Sequence, residues 1–147
     1  MVNDEGGRSP ASIRVQRRIE WPDTDASGHW HNTAAFRLVE VAETALLERI
    51  GLLQQIYGRL PRVHIRADFK RLLRFRDLLD CHIQVAHIGR TSITYAFQIW
   101  RDDELCVEAE VVAVLLTPHG DTAEWTQDQR DLLLSAGPQA AELLSVS

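Results

Sequence analysis

Cysteine, methionine and lysine are close to absent from this chain. Its 147 residues hold two cysteines, one methionine and, at Lys70, a single lysine. Cys81 and Cys106 each sit inside an apolar, strand-like segment. They are too few for a disulfide framework and are expected to be buried free thiols. No run approaches the roughly 20 apolar residues that span a bilayer. The opening "MVNDEGGRSPAS" has no apolar core of the kind a secretory signal needs, so a cytoplasmic address is expected. Basic residues are outnumbered, 16 Lys and Arg against 21 Asp and Glu, and the formal charge of -5 argues against general nucleic-acid affinity. Internal repeats, linkers and a G-x-S-x-G nucleophile motif are missing as well.

What remains is enough for one domain with a sizeable core. A loose tail is expected over 1–12 and a single domain over 13–147. "SIRVQRRIEW" alternates Ile13 and Val15 with Arg14 and Gln16, which predicts a short strand. From Thr33 to Ile50 the period changes: Phe36, Val39, Glu43, Leu46 and Ile50 recur at steps of three and four, as do Leu38, Ala42 and Ala45. That spacing predicts a helix of about five turns, with Asn32 as N-cap and Gly51 as its stop. "RVHIRADFK" alternates Val63, Ile65, Ala67 and Phe69 with charged residues. "LDCHIQVAHIG", "SITYAFQIWRDD" and "LCVEAEVVAVLLT" follow as strands close enough together to pair antiparallel. Thr126 with Gln129 forms a capping-box pattern ahead of a C-terminal helix, Gly137-Pro138 would stop it, and "QAAELL" suggests a last short helix. A helix apolar over so much of its surface favours being wrapped by sheet over lying on top of one, although the element order alone also fits other α+β sheets. The expected class is α+β, one antiparallel sheet curled round a central helix in a hot-dog arrangement.

Between the first strand and that helix lies "WPDTDASGHWHN", with two aspartates and two histidines. Such residues are common loop material, and acids before a helix complement its dipole. Asp23, Asp25, His29 and His31 are all plausible metal ligands, but their spacing fits no specific metal motif. A third reading joins carboxylate to helix. Free N–H groups at a helix start hold an anion or a developing oxyanion, and a carboxylate just upstream can face the carbon whose oxygen they polarise. A base or nucleophile beside an electrophile holder is the minimum for acyl transfer.

"DTDASGHWHNTAAFRLVEVAE" resembles the signature of the hot-dog thioesterases of the 4-hydroxybenzoyl-CoA thioesterase type. The likeness runs from about Arg14 to Pro118 and takes in "RFRDLLD", the "IGRTS" turn and the "VEAEVVAVLL" strand. It implies that Asp25 is the catalytic carboxylate, nucleophile or base on water, and that the N–H near Asn32 meets the thioester carbonyl. Asp23 matches the other acidic position, read as structural. Gly28, His29, His31, Asn32 and Thr33 would line the substrate, Arg90 would meet a CoA phosphate and Ser92 would lie near the site. The substrate implied is a thioester of CoA or of an acyl carrier protein, needing no metal or redox cofactor. A homodimer or homotetramer is implied, since hot-dog subunits bury a sheet edge and part of the helix against a partner. Two departures stand out: Ala35 where the family often has an aromatic residue, and the imidazole-rich loop.

Glu40 and Glu43 are rival acids, but Glu40 stands about 12 Å along the helix from Asn32, too far to share a reacting carbon with it. The run Arg62, Arg66, Lys70, Arg71, Arg74, Arg76 is read first as a solvated strand face and second as a landing patch for CoA phosphates or an acidic carrier protein. His64 is expected at the surface, and Trp100 and Trp125 as packing anchors. The reading is an acyl- or aroyl-thioester hydrolase. Its rivals are a hot-dog hydratase or dehydratase using His29 or His31, and a non-catalytic acyl-CoA-binding module.

Overall fold

The computed structural model describes residues 9–145, with side chains described to residue 139. Six strands form one sheet: β1 (Ser12–Arg18), β2 (Arg62–Phe69), β3 (Leu78–Ile88), β4 (Ser92–Arg101), β5 (Glu104–Val114) and β6 (Pro138–Ser145). Their order is β2-β5-β4-β3-β1-β6. Every neighbouring pair is antiparallel except β1 and β6, which run parallel. Three helices accompany them: α1 (Ala34–Arg49), α2 (Leu53–Ile56) and α3 (Gln127–Ser135).

The period-two pattern does what alternation requires. Ile93, Tyr95, Phe97 and Ile99 of β4 are all buried, facing their antiparallel partners Val85, Ile83 and Cys81 of β3 and Val111 of β5 on the same side of the sheet. That side encloses α1, whose Leu38, Val39, Ala42 and Leu46 belong to the same buried core. Burying side chains of this size stabilises by roughly 1.5–3 kcal/mol each, which is why the helix is held inside the sheet's curve. Cys81 and Cys106 are free and buried, and burial pushes the Cys81 thiol up to about 12.

Both ends of α1 follow from local chemistry. At its C-terminus Gly51 takes φ +80°, where a Cβ would be strained. This reversal lets Gly51 N–H reach Glu48 O at 3.1 Å and Leu52 N–H reach Leu47 O at 2.9 Å, satisfying two carbonyls of the last turn. At the N-terminus the cap is Thr33, not Asn32, and no side chain caps it. A preceding tight turn does that work: Ala34, Ala35 and Phe36 N–H donate to His31, Asn32 and Thr33 O at 3.0–3.1 Å. The capping box of α3 is present, Thr126 Oγ1 accepting from Gln129 N–H and Gln129 Oε1 from Thr126 N–H.

The structure departs from expectation elsewhere. "QAAELL" lies within β6, not a helix: Gly137 turns the chain at φ +69°, and the open edge of β1 offers hydrogen-bond partners that a short isolated helix lacks. Ser9 and Ala11, expected in the tail, are tied down, Gly137 N–H donating to Ser9 O at 2.9 Å and Ala11 N–H to Leu133 O at 2.9 Å; residues 1–8 of that tail lie outside the described residues. Phe36 is exposed rather than turned to the core. Trp125 is buried and donates from Nε1 to Ser92 O at 2.9 Å.

Nor does Arg62 join a solvated face. Its Nη2 donates to Glu43 Oε1 at 2.8 Å, pairing with a carboxylate that α1 buries against the sheet. Burial pushes the Glu43 carboxyl above its ordinary range, opposed by the Arg62 guanidinium, while the buried Tyr95 hydroxyl beside it is pushed up too. A carboxyl raised on folding binds its proton more readily in the folded protein than in the unfolded chain. Stability is therefore favoured at low pH and lost as pH rises through the folded value. Arg62→Met is expected to cost about 3–5 kcal/mol at pH 7, by leaving the carboxylate unpaired. Urea unfolding should show that deficit shrinking as the pH is lowered and the carboxyl takes up its proton.

Candidate active site

The loop between β1 and α1 is built by two aspartates in contrasting surroundings. Asp23 ends a 3₁₀ turn, Trp21–Asp23, and is buried. Its carboxylate accepts from Glu20 N–H at 2.9 Å and from Arg37 through Nε at 3.2 Å and Nη2 at 2.8 Å. A two-pronged Arg–carboxylate pair fixes geometry as well as charge. Asp23 O also accepts from His31 N–H at 2.7 Å, so one residue ties the loop's start, its end and the second turn of the helix together.

Asp25 is exposed and opens the turn Asp25-Ala26-Ser27-Gly28, with Asp first and Gly last as such turns prefer. Gly28 N–H donates to Asp25 O at 3.0 Å, Asp25 N–H to His29 O at 2.9 Å, and Gly28 sits at φ +84°. The carboxylate is used unevenly. Oδ1 accepts from Ser27 N–H at 2.8 Å and, through a short contact, from Ser27 Oγ. Oδ2 accepts from neither and lies 4.0 Å from His31 Nδ1. The Ser27 hydroxyl and then its amide hold the Asp25 carboxyl below the usual range, so it is ionised at neutral pH. His29 Nδ1 stands 3.2 Å from the same Ser27 hydroxyl.

Downstream, the tight turn before α1 leaves the N–H groups of Asn32 and Thr33 without a hydrogen-bond acceptor among the described residues. They follow directly on His31, whose ring faces Asp25. The loop is anchored from the far side by the segment between β2 and β3: Trp30 N–H donates to Leu73 O at 2.9 Å, and His29 bridges Arg74. Exposed Trp21 and Phe75 meet edge to face with ring centroids 5.6 Å apart, next to exposed Arg74 and Arg76.

Of the residues singled out from the sequence, Asp25, Gly28, His29, His31, Asn32 and Thr33 are thus brought together. Arg90 and Ser92 are not. Leu78, at the start of β3, lies at the loop's end of the sheet, where Asp77 O accepts from Ile19 N–H at 3.0 Å. Arg90 and Ser92 follow the other end of β3, about 33 Å away at roughly 3.3 Å per residue. There Arg90 pairs with Glu124 at 2.9 Å. Glu40 is exposed, and among the described residues no three His, Cys, Asp or Glu side chains group as metal ligands. Sequence reasoning missed Ser27 and Arg37. The D-A-S-G turn pattern carried a signal for Ser27, whereas Arg37, 14 residues from Asp23, had none.

An antiparallel sheet round one long helix is the hot-dog arrangement, the fold shared with thioester hydrolases of known structure. The sequence profile of the thioesterase superfamily matches residues 27–108, and the chain belongs to that family. It is 32% identical over 84 residues, 49% of this chain and 55% of the other, to a 1,4-dihydroxy-2-naphthoyl-CoA hydrolase of Parasynechococcus marenigrum (strain WH8102). The match thus spans about half the length of that relative. In fold it resembles a 4-hydroxybenzoyl-CoA thioesterase variant solved with 4-hydroxybenzoyl-CoA, at TM-score 0.77 and 21% identity over 84% of this chain and 99% of that one. It also resembles a 1,4-dihydroxy-2-naphthoyl-CoA thioesterase from Synechocystis, at TM-score 0.73 and 21% identity over 83% of this chain and 95% of that one. No helix among the described residues is long and apolar enough to cross a membrane.

Ser27→Ala removes the hydroxyl donor, the largest cause of the Asp25 shift. The carboxyl should then titrate higher, toward the ordinary aspartate range, as read by carbon-13 NMR of the side-chain carboxyl.

Proposed function

We propose that the protein hydrolyses an acyl- or aroyl-CoA thioester at Asp25. The observation that carries this reading is the uneven carboxylate. One oxygen is anchored by Ser27 and the other lies 4.0 Å from His31, the residue just ahead of two amides, those of Asn32 and Thr33, that have no acceptor among the described residues. A thioester carbonyl oxygen placed on those amides gains stabilisation as it becomes an oxyanion, because the donors are already oriented. Asp25 then faces the carbonyl carbon, and the thiol leaves as free CoA or carrier-bound pantetheine.

CoA is favoured over a carrier protein by the exposed Trp21–Phe75 pair flanked by Arg74 and Arg76, a surface suited to an adenine ring and phosphates. The names of the relatives favour an aromatic acyl group. A homo-oligomer completes the reading. Edge strand β2 leaves Val63 60% exposed, while Phe36 projects from α1. An unpaired apolar edge is a template for a second copy. Arg90 and Ser92, a strand's length from Asp25, take part only if another copy brings them there.

Thiol release from a panel of aromatic and alkyl acyl-CoAs tests the proposal. Wild type should release thiol, fastest from aromatic esters, and Asp25→Asn should lose about 100-fold or more in kcat/KM while still binding the thioester. Equal rates in wild type and variant would refute the role of Asp25.

A further inference from the structure

His31 is the group whose chemistry the hydrolase reading leaves unused. Its Nδ1 lies 4.0 Å from Asp25 Oδ2, the carboxylate oxygen that Ser27 leaves free. Its backbone is pinned by donation to Asp23 O at 2.7 Å, so the loop's buried anchor sets where the ring starts. A gap of 4.0 Å is too long for a direct hydrogen bond. It fits one shared water: an oxygen about 2.8 Å from both atoms subtends about 91° between them, near water's own bond angle.

We propose that Asp25 Oδ2 and His31 Nδ1 hold the hydrolytic water between them, and that His31 is the base that takes its proton. The inference rests on the hydrolase reading and assigns the proton in it. With the Nε2–H tautomer, Nδ1 accepts one water proton and Oδ2 the other. The water oxygen bonds to the thioester carbonyl carbon, its proton passes to Nδ1, and the carbonyl electron pair moves to an oxygen held by Asn32 and Thr33 N–H. Collapse breaks the C–S bond, and the imidazolium returns the proton to the departing sulfur, leaving a carboxylic acid and a free thiol. Asp25 stays ionised throughout and stabilises the imidazolium. Ser27 weakens Asp25 as a base, whereas imidazole is intrinsically the stronger one. The other charged or titratable groups near the ring are His29, on the Ser27 hydroxyl, Arg74, bridged to His29, and the mutually neutralised Asp23–Arg37 pair.

Two measurements on the full chain test this. His31→Ala should slow thiol release about 100-fold or more, abolish the acid limb that an imidazole base places on the kcat/KM profile, and regain rate with added imidazole. The nitrogen-15 resonances of the His31 ring need no substrate to observe and should move in Asp25→Asn as the carboxylate 4.0 Å away is lost. A His31→Ala enzyme close to wild type with its acid limb intact overturns the proposal. So does a slow variant with an unaltered profile and no imidazole rescue, which marks a structural role. If wild type releases no thiol from any ester, the hydrolase reading fails on its own account and takes the base role with it; the NMR comparison then reports whether the Asp25–His31 pair itself exists, an unchanged ring spectrum removing that too.

Discussion

Leu38, Val39, Ala42 and Leu46 share one closed core with Ile83, Val85, Tyr95 and Phe97, and enclosure of α1 by the sheet is what the rest of the molecule depends on. A helix packed on this many sides cannot slide or roll without opening cavities along its length. Its ends are therefore fixed points. Gly51 closes one without a strained Cβ, and the tight turn through His31, Asn32 and Thr33 closes the other. Because that turn satisfies the first helical amides itself, the N–H groups without an acceptor among the described residues lie upstream, at Asn32 and Thr33. They are backbone groups on a buried frame, already oriented before any ligand arrives.

Two aspartates with one residue between them then take opposite parts. Asp23 is buried and spends both oxygens on Arg37 and Glu20 N–H, so it has nothing left for chemistry and sets the loop's shape. Asp25 points to solvent and spends one oxygen on Ser27, keeping the other. The division comes from the two turns they belong to: Asp23 closes the 3₁₀ turn Trp21–Asp23 against Arg37, and Asp25 opens the exposed turn that ends at Gly28. The two carboxylates are told apart by exposure, not residue type.

The Glu43–Arg62 pair shows the same frame from its far side. It joins the middle of α1 to β2, the strand at the sheet's edge, through charges taken out of water. A buried pair of this kind contributes little net stability, yet losing one partner is expensive, so it specifies where the edge strand docks. That edge, with exposed Val63, is also where the proposed second copy would extend the sheet.

Helix α1, strands β2 to β5, the capping box of α3 and the glycine stop at Gly51 were legible in the residues, because each depends on groups a few positions apart. The turn that Asp25 opens was legible too, through its Asp-Ala-Ser-Gly residues. Other features were not. "QAAELL" favours helix locally, and only the open edge of β1 makes it strand. Arg37 reaches Asp23, Arg62 reaches Glu43 and Leu73 holds Trp30 across 14, 19 and 43 positions, and nothing near either partner announces them. Arg90 and Ser92 match the family's turn, yet one chain sets them a strand's length from the carboxylate. Periodicity and turn chemistry determined the elements and the turn at Asp25, since both act between neighbours. Which carboxylate is buried, which amides stay free and which arginine meets which acid was decided only when distant segments packed, since burial is a property of the whole fold.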